Sequence, residues 1–390
     1  MSPIAKQEFT ESVAPRYRQA PKWKKTIILD NYCEATQYHR HHAIRKLNHC
    51  HRKKHRRKPG RPSVYNQDYV LKPLRAVWKA SEFPCSSRLK VIIREWLPFM
   101  EEELHPMVRR KLLSISPATI DRVLRPYRTG RRRRMYCRTK PGKLLKTRIP
   151  IKTDQWDEKR PGFLEADTVA LCGGTLLGDF VNALDVVDIA TGWSEQRAIF
   201  GKSRHGIVKQ VQDIEASLPF ELKGFDSDSG QEFLNKTLMK YFTRRPKDPV
   251  QFTRSRPYHK DDNAHIEQKN WTHVRQWFGY DRFDNPVVVR LMNDLFKNEW
   301  RLYHNFFLPS VKLIAKERIG SRVIKRHDRP QTPFRRLLAS RNVDGKAKNA
   351  LKEQYKQLNP FSLRRGLEKK LKKIFAVRRP EYSAFDRPLQ

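Results

Sequence analysis

Apolar residues run together in the middle of the chain and recur at helical spacing on either side of it. In the middle they predict strands over 163–170, 180–188 and 194–200, the first two joined through the glycines of LCGGTLLGD. A helix over 204–218 follows, with Ile207, Val211, Ile214 and Leu218 on one face, and further strands lie near 222–226 and 250–254. Ala264, Trp271, Val274 and Phe278 then fall at helical spacing, as do Val289, Met292, Leu295, Phe296 and Trp300 in a helix over about 286–303. Three meandering strands followed by helix and strand alternation make an α/β fold, a mixed sheet with helices packed on it, over 161–303.

The flanks read as helical. Ile28, Tyr32 and Ala35, a turn near Thr36 and Gln37, and then Ala43, Ile44 and Leu47 predict two helices joined tightly, a helix-turn-helix candidate within 1–50. Its second helix carries His39, Arg40, His41, His42 and Arg45. Cys33, His39, His49 and Cys50 raise a zinc reading, but no C-x-x-C occurs in the chain, and a metal-free helical domain is the expectation. After HRKKHRRKPGRP, a basic linker within 51–68, the stripes Val70, Leu74, Val77, Trp78 and Leu89, Ile92, Ile93, Trp96, Leu97 predict core helices of a second helical domain over 69–128. In SPATIDRVLRPY, Ser116 caps a helix with proline at its first position. Ile120, Val123, Leu124 and Tyr127 form its buried face and leave Thr119, Arg122 and Arg125 outward, as a recognition helix presents itself to the major groove.

Charge sharpens this division. The 390 residues hold 82 Lys and Arg against 41 Asp and Glu, a net of +41, which calls for a polyanionic partner. The net is +26 over 1–160, −1 over 161–280 and +16 over 281–390, so a near-neutral centre sits between basic arms. The connector 129–160, with Arg131, Arg132, Arg133 and Arg134, is suited to phosphate contact that weakens steeply with salt. Residues 306–340 are basic and broken by proline without clean strand alternation; 341–380 read as a very basic helical tail, so 304–390 is expected to bind DNA or oligomerise. No apolar run approaches the roughly 18 residues of a membrane span, and the N-terminus lacks a signal-peptide core, so a cytoplasmic protein is expected, nucleoid-associated in a prokaryote. Five scattered cysteines fit reduced thiols.

Within the near-neutral centre, three carboxylates stand out. Asp167 lies in the strand GFLEADTV, Asp228 where a strand breaks in LKGFDSDSGQEF, and Glu267 on the apolar face of the helix after YHKDDN. Two strand-borne aspartates and a helix-borne glutamate converging on one spot could hold two divalent cations for in-line attack on a phosphodiester, and an all-oxygen site suits Mg2+ or Mn2+. Other acids compete. Glu165 shares the strand face of Asp167, Asp188 opens the turn DIATGW, and Asp261 and Asp262 precede the Glu267 helix. Asp226 and Asp228 share a face, and only nearness to the Ser229-Gly230 break favours Asp228.

Residues 161 to 285 resemble the retroviral-integrase-type, RNase H-like core of DDE transposases of the insertion-sequence type, through the DSDSG, FTRSRPYHKDDNAHIEQKNW and VRQWFGYDR blocks. The SPATIDR block has a similar counterpart there in a second helix-turn-helix. The resemblance implies that Asp167, Asp228 and Glu267 are the metal ligands, with 38 residues between the last two. It implies double-stranded DNA as partner, at element ends and target, and a homo-oligomer in the DNA complex. Arg254, Arg256, Lys260 and Lys269, around the third acidic block, are expected to face DNA if Glu267 does. Two rivals remain: a catalytically silent, domesticated DNA-binding regulator, and a nuclease of the same fold.

Overall fold

The computed structural model describes residues 1–49, 64–128, 158–201, 203–227, 233, 236–245, 249–254 and 264–377. Both basic connectors, with Arg131, Arg132, Arg133 and Arg134, and Asp228, Arg256, Lys260, Asp261 and Asp262 lie outside the described residues. The chain divides into two compact units, Met1–Val64 and Tyr65–Gln390.

In the first unit, α1 (Pro3–Gln19), α2 (Lys22–Thr36) and α3 (Arg40–His49) enclose a small core of Ala14, Tyr17, Leu29, Tyr32, Ala43 and Leu47. The turn after α2 is made by Gln37 in the left-handed region (φ 57). Pattern reading passed over α1, although Ser2 caps it by accepting from the Ala5 N–H and proline follows at its first position. The stripe on α2 is also shifted. Leu29, Tyr32 and Thr36 are buried and Ala35 is exposed, because α1 as well as α3 packs against it.

The second unit is built on a five-stranded mixed sheet of order β3-β2-β1-β4-β5: β1 (Phe163–Ala170), β2 (Val181–Asp188), β3 (Ser194–Phe200), β4 (Gly224–Ser227) and β5 (Gln251–Arg254). β1, β2 and β3 meander antiparallel, and β4 and β5 join parallel to β1. Leu164, Ala166, Leu184, Val186 and Phe225 face α8 (Arg204–Ser217) and α9 (Lys236–Thr243) in one core.

The other core is larger and helical. It joins Val169, Val181 and Ala183 of the sheet to α4 (Asp68–Ala80), α5 (Ser86–Trp96), α6 (Pro106–Ser114) and α7 (Pro117–Leu124), whose residues come earlier in the chain. From later in the chain it takes α12 (Pro286–Leu295), the wide-turned continuation to Phe307, α13 (Pro333–Ala339), α14 (Gly345–Lys356) and α15 (Pro360–Ala376). Between sheet and α12 run α10 (Ala264–Lys269), a π-helical turn Asn270–Arg275, and α11 (Gln276–Phe278). That widened turn shifts the phase of the apolar stripe: Val274 and Phe278 are buried, but Trp271 is 37% exposed.

Strand β3 is one edge of the sheet, and two asparagines cap it. Asn305 Oδ1 accepts from the Ser194 N–H while its Nδ2 donates to Ser194 O, and Asn293 does the same at Ala198. Beyond the helices, β6 (Leu313–Ile319) and β7 (Arg322–His327) pair in a hairpin within the stretch where no strand alternation is legible. Among the described residues no helix is long and apolar enough to cross a membrane.

Candidate functional site

Strand alternation sends Leu164 and Ala166 into the core under α8 and puts Glu165 and Asp167 on the opposite face. The pairing register then aligns other acids with them. Asp167 stands opposite Asp185 of β2, and Glu165 opposite Asp226 of β4. Four carboxylates from the three central strands therefore share one face.

Helix α10 is laid across that face by hydrogen bonds to the acids. Its Ile266 N–H donates to Glu165 Oε2 at 3.1 Å, and Asn270 Nδ2, just beyond it, donates to Asp167 Oδ2 at 2.6 Å. Asp167 Oδ1 accepts from the Thr168 N–H at 2.7 Å. Glu267 lies on α10 between these two anchors, so its backbone is held at the acid-bearing face; its side chain is outside the described atoms. Asp228 follows Ser227, the last residue of β4, and is likewise outside them.

The remaining acids differ in their partners. Asp226 is buried and accepts from Thr253 Oγ1 at 2.5 Å, so Thr253, its register partner on β5, holds it. Asp185 is wholly buried, with Gln196 Nε2 donating to Oδ1 at 2.8 Å and, among the described residues, no hydrogen bond to Oδ2. Burial pushes its carboxyl up, and removal from water pushes the half-buried Lys269 ammonium down, while their opposite charges pull each the other way. Lys269 Nζ lies 3.5 Å from His273 Nε2, and the His273 ring packs 4.2 Å from that of His304. Burial holds both imidazoles neutral, with His304 lowered to about 3. Asp188 serves the turn: it accepts from the Gly162 and Thr191 N–H groups at 2.8 Å and from Thr191 Oγ1 at 2.6 Å.

The DNA-facing candidates are scattered. Arg254 is buried at the end of β5, opposite Ser227, beside the segment that leads into Asp228. Lys269 is half-buried, with its Nζ at His273. Thr119, Arg122 and Arg125 stand apart on α7 and the turn after it; Arg122 and Arg125 are exposed, and Thr119 is half-buried with Oγ1 3.0 Å from Ser116 Oγ. The Ser116 cap accepts from the Thr119 N–H at 3.2 Å. Tyr127 does not continue the buried stripe. The chain tightens to a 3-10 turn at Arg125–Tyr127, which rotates Tyr127 to the surface with the Arg75 guanidinium 4.1 Å over its ring.

The chain is 34% identical over 344 residues to the uncharacterized protein y4rM of Sinorhizobium fredii, covering 86% of this chain and 96% of that protein. The chain belongs to the y4rM family. No protein-family model matches it. Among solved structures, a chain of the simian T-cell lymphotropic virus intasome in complex with PP2A regulatory subunit B56 gamma is similar at TM-score 0.29 and 14% identity, covering 50% of this chain and 63% of that one. The catalytic core domain of BIV integrase is similar at TM-score 0.27 and 12% identity, covering 45% of this chain and 91% of that one.

Two residues of this y4rM-family site escaped sequence reading. Asn270 follows Glu267 by three positions, so helical spacing places it on the same side, a usable signal. Asp185 interrupts the apolar run VNALDVVD; a charge in mid-strand asks for a partner, but only the register with Asp167 says which.

Among the described residues, no group of three or more His, Cys, Asp or Glu side chains is placed to hold a metal ion. Of the three expected ligands only Asp167 has a described side chain. The strand-borne groups on this face offer carboxylate oxygens, a chemistry that would suit Mg2+ or Mn2+ rather than zinc.

Proposed function

We propose that the chain is a DDE transposase with an RNase H-like core, acting on double-stranded DNA at the ends of a mobile element and joining the 3′-hydroxyls to target DNA. The observation that carries this reading is the acid-bearing sheet face crossed by α10, which brings the backbone of Glu267 to the strand that holds Asp167. Asp167, Asp228 and Glu267 would hold two Mg2+ or Mn2+ ions, which when bound activate the attacking oxygen and stabilise the leaving one.

The chain's own groups do the positioning. Asn270 fixes the Asp167 carboxylate by its 2.6 Å bond, and Glu165 fixes α10 by accepting from Ile266, so the strand and helix that carry ligands move as one. Asp226, tied to Thr253, serves β4 in the same way and adds negative potential beside Asp228. Arg122 on α7 and Arg125 in the turn after it read or grip end DNA, and the basic connectors contact phosphates. Assembly of two or more copies on DNA and a cytoplasmic or nucleoid location belong to the same proposal.

The test is cleavage and strand joining by the full chain on duplexes from the ends of its own element, with magnesium. Asp167→Asn, Asp228→Asn and Glu267→Gln should each abolish both steps and leave DNA binding within about threefold, whereas Asp226→Asn should only slow them. A dead Asp226 variant beside an active Asp228 variant would reverse that assignment. Wild-type protein that binds DNA and neither cuts nor joins it would favour a silent regulator, and cutting without joining a nuclease.

A further inference from the structure

The hairpin of β6 and β7 is exposed on both faces: every described side chain from Ile314 to His327 is open to solvent. A lone two-stranded ribbon is marginal in water unless something covers it. Its stem is nevertheless fastened. Ser310 and Gln331 exchange backbone hydrogen bonds at 2.9 and 3.1 Å, Asp328 accepts from the Lys312 N–H at 2.6 Å, and Arg336 donates to the other oxygen of Asp328 at 2.9 Å. A rigid stem thus presents a bare ribbon.

Its composition states what would cover it. Residues 313–327 hold Lys316, Arg318, Arg322, Lys325 and Arg326 against one acid, Glu317. Elsewhere in this unit cations are commonly paired, as at Arg197 with Asp213, Arg336 with Asp328 and Lys370 with Asp294. Arg318, Arg322, Lys325 and Arg326 have no partner among the described residues. Between them stand exposed aliphatics: Ile314 at 68%, Ile319 at 57%, Val323 at 46% and Ile324 at 42%. The register puts Ile319, Arg322, Glu317, Ile324 and Arg326 on one face and Arg318, Val323 and Lys325 on the other.

We propose that this ribbon enters the major groove of duplex DNA. Two strands about 4.8 Å apart and about 20 Å long match a groove about 12 Å wide and not the minor groove of about 6 Å, and a two-stranded ribbon is a shape the major groove admits. Groove walls of phosphate supply the anions the four cations lack, on both faces at once. The aliphatics meet thymine methyl groups, and the Glu317 carboxylate, which phosphates would repel, meets a cytosine amino group. An acidic protein would satisfy the cations but leaves both faces of a fully exposed ribbon to be covered together, which a groove does by its shape. The inference rests on the proposed action on DNA and adds a contact to it.

The test compares full-length wild type with Arg318→Gln, Arg322→Gln, Lys325→Gln and Arg326→Gln combined, by fluorescence anisotropy on a random-sequence duplex between 50 and 200 mM salt. Thermal melting of both proteins comes first, and equal melting is expected because these exposed side chains make no hydrogen bond or ion pair among the described residues. Each lost phosphate contact removes roughly a 3.5-fold affinity drop over that salt range, so the combined variant's drop should be smaller by about 100-fold. Dimethyl sulfate protection of guanine N7 in the major groove should also weaken. A salt dependence equal to wild type overturns the proposal and leaves the transposase reading standing. Minor-groove protection alone overturns the groove assignment. Failure of wild type to bind any duplex removes both readings. Sedimentation of Ile319→Ser with Ile324→Ser covers the remaining partner: loss of self-association with unchanged DNA affinity makes the ribbon a contact between copies and overturns the proposal.

Discussion

Asp185 and Asp188 lie three residues apart on β2, are equally buried, and are used differently. Among the described residues, Asp188 accepts from Gly162, just ahead of β1, and from the N–H and hydroxyl of Thr191, and so fastens the turn, whereas Asp185 accepts from Gln196 and keeps Oδ2 without a hydrogen bond beside Asp167. Burial dominates Asp188 even so, raising its carboxyl from 3.8 to about 6. A raised folded value means the folded chain holds the proton more tightly, so this contribution is full below about pH 4 and is lost as pH rises through 6. Relative to Asp188→Asn, wild type should therefore lose on the order of 2–3 kcal/mol of unfolding free energy between pH 4 and 7. Urea titrations of both proteins across that range check it, and a constant difference between them would refute the shift. At this scale the sequence displays which residues are acidic and, by alternation, which share a face. It does not display that Asp167 faces Asp185 or Glu165 faces Asp226, since register is set between strands that are distant in the chain.

Strands and capped helices were the legible elements because their signals are local. Alternating or continuous apolar runs mark β1 to β3, and Ser-Pro marks the start of α7. The same Ser-Pro pair begins α1, but Pro15 inside that helix and its weak apolar stripe hid it. The β6–β7 hairpin was illegible for a different reason: with neither face buried, no apolar alternation is required of it. Nor could spacing show how the β3 edge is closed. Asn305 is wholly buried and satisfies both the N–H and the carbonyl of Ser194. Asn305→Ala leaves two buried backbone groups unpaired, at about 1–3 kcal/mol each, so the second unit should lose roughly 2–5 kcal/mol. Asn305→Asp keeps an acceptor for the N–H but faces the carbonyl with a second oxygen, and should be no better. Denaturant midpoints decide this, and an alanine variant within 0.5 kcal/mol of wild type would mean the edge does not depend on that amide.

The large core binds sequence-distant parts into one body. Trp96 Nε1 donates to Phe307 O at 3.1 Å, the Tyr303 hydroxyl donates to Ala80 O, and Glu95 accepts from Arg335 at 2.8 Å and from Tyr355 at 2.9 Å. The segment 69–128, which reads from sequence as a helical domain for DNA, thus also walls the core that supports the sheet. Two truncations separate these roles. A chain beginning at Tyr65 keeps the second unit entire and should melt as that unit does in the full protein. A chain beginning at Glu158 loses α4 to α7 and bares the partners of Trp78, Leu89, Ile92, Ile93 and Trp96. At about 1.5–3 kcal/mol for each large side chain no longer buried, the loss reaches the 5–15 kcal/mol that is the whole stability of a typical domain. That fragment should be insoluble, or soluble without a cooperative melt. Circular dichroism melting of both fragments measures it, and a cooperative transition of the Glu158 fragment at the full protein's temperature would show that sheet and C-terminal helices stand alone, with α4 to α7 free to act purely on DNA.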